Sequence, residues 1–262
     1  MTATGGLSDQ QFSGTKAALT IKQQALGLTL QRIERAVLAA RRPPQCVELV
    51  AVSKKFDAAA VLEVASSGQL AFGENFVQEG CQKIREIKPL RPDLIWHFIG
   101  PLQSNKTRPV AELFDWVDSV DRLKIAQRLS EQRPQALAAL QLCIQVNISG
   151  EATKSGCKPS ELSELAQAVA ALPNCQLRGL MCIPEPLEGR AEESLAQQFN
   201  QMNQLFDQTK NRLLNGGLDV TQFDTLSMGM SGDIELAVAS GSTSVRIGTA
   251  IFGARPTKSD GA

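Results

Sequence analysis

The first regular pattern in the chain is a stretch of helical periodicity near its start. Between residues 15 and 42, apolar residues such as Leu26, Ile33 and Val37 recur at three- and four-residue spacing, and the Pro43-Pro44 pair interrupts the pattern. Apolar residues at this spacing share one face of a helix. We therefore predict one long leading helix ahead of the remaining elements.

Beyond residue 44, short apolar runs alternate with segments of helical periodicity. Eight runs are rich in Val, Ile, Leu and Phe, and we predict a strand at each of 47–53, 70–73, 94–99, 116–120, 140–148, 177–183, 223–228 and 244–247. Helices are predicted between them at 58–66, 77–88, 121–132, 159–172, 192–214 and 233–239.

Strands that alternate with helices form a parallel sheet, and eight such units predict an α/β protein built as a single (β/α)8 TIM barrel. An open doubly wound sheet is the alternative, although no Gly-rich dinucleotide fingerprint follows the first run. The barrel with its leading helix is assigned to residues 14–255. Small and polar residues dominate 1–13 and 256–262, and we expect both segments to be mobile.

Charge and hydropathy narrow the range of partners. Basic and acidic residues number 27 each, so the chain lacks the global basic field that nucleic-acid or anionic-membrane binding usually needs. No apolar stretch approaches the roughly 18 residues of a membrane span, and no basic segment leads into an apolar run at the N-terminus. We therefore expect a cytoplasmic protein that binds neither nucleic acid nor membrane.

The cysteines do not indicate a metal site. Six are scattered without a C-x-x-C pair, and the chain has one histidine to assist them. In a reducing compartment they stay thiols, and Cys143 and Cys182 lie in apolar runs typical of a core.

Active sites of (β/α)8 barrels lie at the carboxyl ends of the strands, so the residues there are the candidates for chemistry. The first run leads into Lys54, and strand alternation places Val50, Val52 and Lys54 on one face and Lys55 on the other. If that face lines the barrel, Lys54 points at its mouth, where a desolvated amine can attack an aldehyde. The alternative is a pair of solvated lysines that end an edge strand.

Two polar residues follow or interrupt the next two runs. Asn75 lies at a helix entrance, where its amide either donates to a ligand or caps the helix. His97, the single histidine, lies within an apolar run. It is either a core residue or a contact for a ring bound at the barrel centre.

The last two strands lead into segments suited to an anion. Barrels commonly bind phosphate with the loops after strands seven and eight, where small residues let the backbone approach and hydroxyl groups and arginine donate. The candidates are Ser227, Gly229, Ser231, Gly232, Arg246, Gly248 and Thr249. The alternative is a capped helix beside a close-packed strand with a solvated arginine.

Six ordered motifs resemble those of the pyridoxal phosphate homeostasis protein family. They are AVSK (51–54), FGEN (72–75), WHFIGPLQSNK (96–106), GLM (179–181), SMGMSGD (227–233) and VRIGTAIFG (245–253). The resemblance spans residues 47–255. It implies a barrel similar to the N-terminal domain of bacterial alanine racemase, without the second β-domain of that enzyme, and we expect no such domain in this chain.

The resemblance also implies a cofactor and its site. Lys54 would hold pyridoxal 5′-phosphate as a Schiff base, with Asn75, His97 and Met181 around the ring. The positions at the phosphate or the adjacent part of the ring would be Ser227, Met230, Ser231, Arg246, Gly248 and Thr249. Arg246 fits either the phosphate or the pyridine nitrogen, where a cation would discourage ring protonation.

Family resemblance implies a function in which the protein buffers and delivers the cofactor, with effects on amino-acid and keto-acid balance. Its partners would be transiently contacted apo-enzymes that require pyridoxal phosphate, and we expect a monomer. The alternative is a racemase or a related enzyme of this cofactor. Racemisation needs two opposed bases, and the tyrosine that supplies one of them in alanine racemases has no counterpart because the chain contains no tyrosine. A regulatory protein whose partner senses the loaded state is a third reading of the same residues.

Overall fold

Eight parallel strands close into a barrel in the order in which they occur along the chain, and β1 completes the circle by pairing with β8. The structure is a computed structural model that describes residues 18–151, 154–184 and 192–254. The strands are β1 (Glu48–Val52), β2 (Ala71–Glu74), β3 (Ile95–Phe98), β4 (Trp116–Val120), β5 (Leu140–Gln145), β6 (Cys175–Met181), β7 (Thr225–Ser227) and β8 (Ser244–Ile247). The predicted TIM barrel is confirmed, and the open sheet is wrong.

Helices cover the outside of the barrel. They are α1 (Ile21–Ala39), α2 (Ala58–Ala65), α3 (Val77–Ile87), α4 (Thr107–Leu113), α5 (Leu123–Gln132), α6 (Leu162–Ala170), α7 (Glu192–Asn215), α8 (Ile234–Ala239) and α9 (Thr249–Phe252). The leading helix α1 begins at a capping box, in which Thr20 and Gln23 each bond the other's backbone N–H. The helix therefore begins later than the predicted segment 15–42. It also ends earlier, at Ala39.

Two short helices and one turn of 3-10 helix (Ser104–Lys106) were not predicted. Helix α4 carries Pro109 in its first turn, a position that tolerates proline but masks helical periodicity in the sequence. Helix α9 has four residues, too few to show a period.

Alternate residues of each strand face opposite sides of the barrel wall. Leu49, Ala51 and Phe72 belong to the apolar core between the strands and the helices. In the other set, Val50 pairs in register with Arg246, and Val52 pairs with Gly73. This second set lines the interior of the barrel, as the alternation predicted.

Aromatic and charged side chains fill the amino-terminal end of the barrel. The Arg178 guanidinium lies 4.7 Å from the centre of the Trp116 ring and donates to both carboxylate oxygens of Asp224, at 2.9 and 2.7 Å. His97 stacks on the same indole ring, with the ring centres 5.0 Å apart. With this end packed, the carboxyl ends of the strands are the accessible mouth.

Three further predictions concern the ends of the chain, the cysteines and membrane-spanning helices. The segments 1–13 and 256–262, predicted to be mobile, lie outside the described residues, so the domain bounds stay a prediction. Cys143 and Cys182 are fully buried and all six cysteines are free, as predicted. None of the described helices is long and apolar enough to cross a membrane.

Candidate functional site

Lys54 lies just beyond the carboxyl end of β1, in a turn that separates it from Lys55. The Phe56 N–H donates to the Ser53 carbonyl at 3.1 Å and closes a four-residue turn, with Lys54 and Lys55 at its centre. Lys54 is half-buried, whereas Lys55 is exposed and has a φ of +69°, in the left-handed region. A side chain in this region costs about 1 kcal/mol, so the turn stores strain directly beside Lys54.

A buried ionic cluster lies behind this turn, between the barrel wall and α3. Lys83 contacts Glu74 at 2.5 Å and Glu79 at 2.9 Å, and it also donates to the Ser53 carbonyl at 2.7 Å. The Ser53 hydroxyl donates to Glu74 at 2.6 Å. Burial raises the pKa of the Glu74 carboxyl, and the nearby Lys83 ammonium offsets only part of this shift.

Asn75 and His97 present polar atoms that lack partners. Nδ1 of His97 lies 3.1 Å from the Asp118 carboxylate, which orients the ring. Its Nε2 and the Asn75 Oδ1 are buried and have no hydrogen-bond partner among the described residues. Since Phe76 is the N-cap of α3 and no side chain caps that helix, the capping alternative for Asn75 is wrong. A buried unpaired polar atom costs about 1–3 kcal/mol, which a ligand can recover.

Arg246 lies inside the barrel, so the alternative of a solvated arginine is wrong. Its guanidinium donates to the Ser227 hydroxyl at 2.7 Å and to the Cys182 carbonyl at 2.8 Å. Burial lowers the pKa of Arg246, while Asp118 and Asp233 oppose this shift only from a distance. Within the described part of the chain, no carboxylate forms an ion pair with it.

The loop after β7 has a defined shape. Gly229 has a φ of +103°, and a Cβ there would lie 2.6 Å from the Cβ of Ala237, so glycine is required. The Met230 N–H donates to the Asp233 carboxylate, and the Asp233 N–H returns a bond to the Met230 carbonyl at 3.1 Å. The loop is thereby held in a closed turn that leaves Ser231 half-buried.

The remaining candidates lie at the ends of β6 and β8. Met181 is the last residue of β6, is fully buried and pairs in register with Ser227. Gly248 and Thr249 follow β8, where Gly248 is half-buried and Thr249 is exposed. All the candidate residues thus lie inside the barrel or at its carboxyl end, and a direct contact joins Arg246 to Ser227.

A cavity of about 500 Å³ opens at the same end of the barrel. Its wall is formed by residues that follow β2 to β5: Asn75, Phe76, Val77, Gln78, Pro101, Leu102, Gln103, Lys106, Asp121, Arg122 and Ser155. Asn75 is the one candidate residue in this wall, so the cavity adjoins the candidate site from the side of β2.

Comparison with known proteins places the chain in a family. Residues 28–256 match the family described as alanine racemase, N-terminal domain. A pyridoxal phosphate homeostasis protein of Pseudomonas aeruginosa is 57% identical over 224 residues, which cover 86% of this chain and 91% of the relative. The protein of the same name from Escherichia coli K12 is 51% identical over 228 residues, covering 86% and 92%.

The chain belongs to the pyridoxal phosphate homeostasis protein family. PipY of Synechococcus elongatus, solved with PLP bound, is 38% identical with a TM-score of 0.70, and the match covers 84% of this chain and all of PipY. Alanine racemase of Corynebacterium glutamicum is 16% identical with a TM-score of 0.63, covering 90% of this chain and 63% of the enzyme. That likeness supports the fold alone.

Sequence reasoning missed several residues that shape the site of this family member. Asp118 lies in an apolar strand and faces inward beside His97, so an acidic residue at an inward position was the available signal. Glu79 and Lys83 are four residues apart on α3, a spacing typical of a helical ion pair. Their contact with the turn at Lys54 depends on how α3 packs on the barrel, which the sequence does not reveal.

Proposed function

We propose that this protein binds pyridoxal 5′-phosphate covalently through Lys54 and holds it for release to enzymes that require it. The observation that carries the proposal is the barrel interior. A buried arginine without an ion-pair partner in the described residues lies at the same end of the barrel as a half-buried lysine. An anionic ligand with an aldehyde suits both groups, because its anion would pair with the guanidinium and its aldehyde would condense with an amine.

The residues divide by the part of the cofactor that they suit. Ser231, Gly248 and Thr249 offer hydroxyl and backbone groups at the loops after β7 and β8, where barrels commonly hold phosphate. Arg246 lies on β8, just before Gly248 and Thr249, and donates to the Ser227 hydroxyl. Met230 shapes the loop through its bond to Asp233.

The ring would lie against groups on the other strands. The unpaired atoms of Asn75 and His97 are suited to polar groups of the ring, and Met181 supplies an apolar surface. Arg246 would contribute a positive charge to the site. A cation at the pyridine nitrogen discourages protonation of the ring and so weakens its use as an electron sink.

The bound cofactor supplies an aldehyde that condenses reversibly with a primary amine, with loss of water. Lys54 would supply the amine that holds the cofactor in this way, and water or a competing amine would release it. Reversible attachment at an accessible mouth suits a carrier.

We infer that the protein is a carrier rather than a racemase. Racemisation needs a second base opposite the lysine, and the chain contains no tyrosine to act as one. The name of the relatives, homeostasis protein, supports the same function.

Transfer of the cofactor tests this function. Loaded protein is mixed with the apo form of a pyridoxal-phosphate-dependent enzyme, and the recovered enzyme activity is followed in the presence of a trap for free cofactor. We expect transfer from the wild type and none from a Lys54→Ala sample prepared in the same way. Turnover of D- or L-amino acids by the loaded protein alone would instead support an enzyme.

We further propose that the protein acts as a cytoplasmic monomer. The closed barrel leaves no strand edge that a second copy would need to cover, and its six free thiols suit a reducing compartment. Light scattering of the purified protein tests the monomer, and a dimer mass would contradict it.

A further inference from the structure

Helix α3 holds both peptide groups that flank Lys54. On one side, the Ser53 carbonyl accepts a hydrogen bond from the Lys83 ammonium at 2.7 Å. On the other, the Lys55 N–H donates to the Glu79 carboxylate. Lys83 and Glu79 form an ion pair with each other at 2.9 Å. Two side chains of one helix therefore form hydrogen bonds with the backbone on either side of Lys54.

Glu74, the last residue of β2, connects these contacts to the barrel wall. The Lys83 and Glu74 side chains are 6% and 0% exposed, and Glu74 also accepts a bond from the Ser53 hydroxyl. Oε1 of Glu74 makes both of these contacts, and loss of either Lys83 or Glu74 would leave the other charge buried and uncompensated. We call Glu74, Glu79 and Lys83 the lysine clamp.

The clamp acts where the backbone is strained. Lys55 adopts a left-handed conformation at +69°, which is unfavourable for a residue with a side chain. Such strain persists where surrounding contacts hold it, and it is often found at functional positions. The bond from the Lys55 N–H to Glu79 supports this conformation, together with the bond from Phe56 to Ser53 that closes the turn.

We propose that the lysine clamp positions Lys54, so that its amine occupies the same place each time the cofactor leaves and returns. This inference rests on the proposed function. The clamp residues act through the backbone of the turn and are positioning residues. They accelerate covalent attachment without adding affinity for the ring or the phosphate.

Matched variants of Glu79 test the clamp. Glu79→Ala removes the acceptor for the Lys55 N–H, whereas Glu79→Gln retains an oxygen that can accept it. Glu86→Ala removes an exposed carboxylate from the same helix as a control. For each, the rate of covalent loading is measured by absorbance, and affinity is measured for pyridoxine 5′-phosphate, which has an alcohol in place of the aldehyde.

We expect loading to slow about tenfold in Glu79→Ala, the change that loss of one charged hydrogen bond can produce. Glu79→Gln should restore most of the rate, Glu86→Ala should match the wild type, and affinity for the analogue should be unchanged throughout. Wild-type loading by Glu79→Ala, or an equal loss of analogue affinity, would overturn the clamp alone. Failure of the wild type to load would overturn the proposed function and the clamp with it.

Discussion

Arg246 donates to the Ser227 hydroxyl at 2.7 Å from within the barrel, where its side chain is almost fully buried. A buried cation without a paired anion is costly, because its lost hydration is only partly replaced. Ser227 and the Cys182 carbonyl supply hydrogen bonds but no negative charge. The arrangement is therefore better suited to a barrel that holds an anion beside Arg246 than to one without such an anion.

Replacing Arg246 by glutamine separates binding from stability. We expect affinity for pyridoxal phosphate to fall at least about tenfold, since a hydrogen bond to a charged group contributes about 1.5–3 kcal/mol. The free energy of unfolding of the empty protein should stay the same or rise, because a buried charge is removed. Equilibrium binding and chemical denaturation measure the two quantities. Arg108→Gln, at an exposed arginine of α4, is the control, and unchanged affinity in Arg246→Gln would contradict this role.

The leading helix should influence how long the cofactor stays bound. Arg32 of α1 donates to the Ser231 carbonyl at 2.6 Å and to both oxygens of Glu235, so it ties α1 to the loop after β7. Arg32→Ala should release cofactor several-fold faster, because the loop loses an external support. Stopped-flow release into a trapping amine measures this rate. The exposed Arg35 of the same helix provides the control variant Arg35→Ala, and equal rates in all three proteins would refute the link.

Glu74 should make stability depend on pH in a specific direction. Burial raises its pKa in the folded state, so folding favours the protonated form. The contribution of Glu74 to the stability of the wild type is then highest below the ordinary pKa of glutamate and is lost as the pH rises through the raised value. Glutamine does not ionise, so Glu74→Gln does not lose stability in this way as the pH rises. The free energy of unfolding of Glu74→Gln minus that of the wild type should therefore increase between pH 4 and pH 7. Chemical denaturation at both values measures the difference, and a constant difference would contradict the raised pKa.

Cys182 should report on the integrity of the barrel. Burial raises the pKa of its thiol to about 12, and its carbonyl is an acceptor for Arg246. At pH 8 it remains protonated and shielded, whereas the half-buried Cys46 is more accessible. A thiol reagent followed by peptide mapping should label Cys46 first and Cys182 only after unfolding. Early labelling of Cys182 in the native protein would show that the interior opens.

Much of the fold could be predicted from periodicity because the strands are short, apolar and separated by regular helices. The predicted bounds of β4 and β8 match the structure, and the other strands differ at their ends. Ladder hydrogen bonds, which periodicity does not reveal, decide where a strand ends. Helix α4 was missed because Pro109 obscured its pattern.

The candidate site was predicted less completely. Motifs identified Lys54 and the loops after β7 and β8, since both lie next to strand ends in the sequence. Contacts such as Lys83 with Ser53 join residues 30 apart through the packing of α3. The sequence also left open whether the Arg246 side chain points into the barrel or into solvent. Its burial is evident only from the closed barrel.

Borohydride reduction followed by peptide mass mapping tests the central claim most directly. Protein incubated with pyridoxal phosphate is reduced to fix the bond and then digested, with Lys54→Ala treated in parallel. We predict a pyridoxyl group on Lys54 in the wild type and no equivalent labelled site in the variant. Labelling of Lys55 instead, equal labelling in Lys54→Ala, or no uptake of the cofactor would contradict the account.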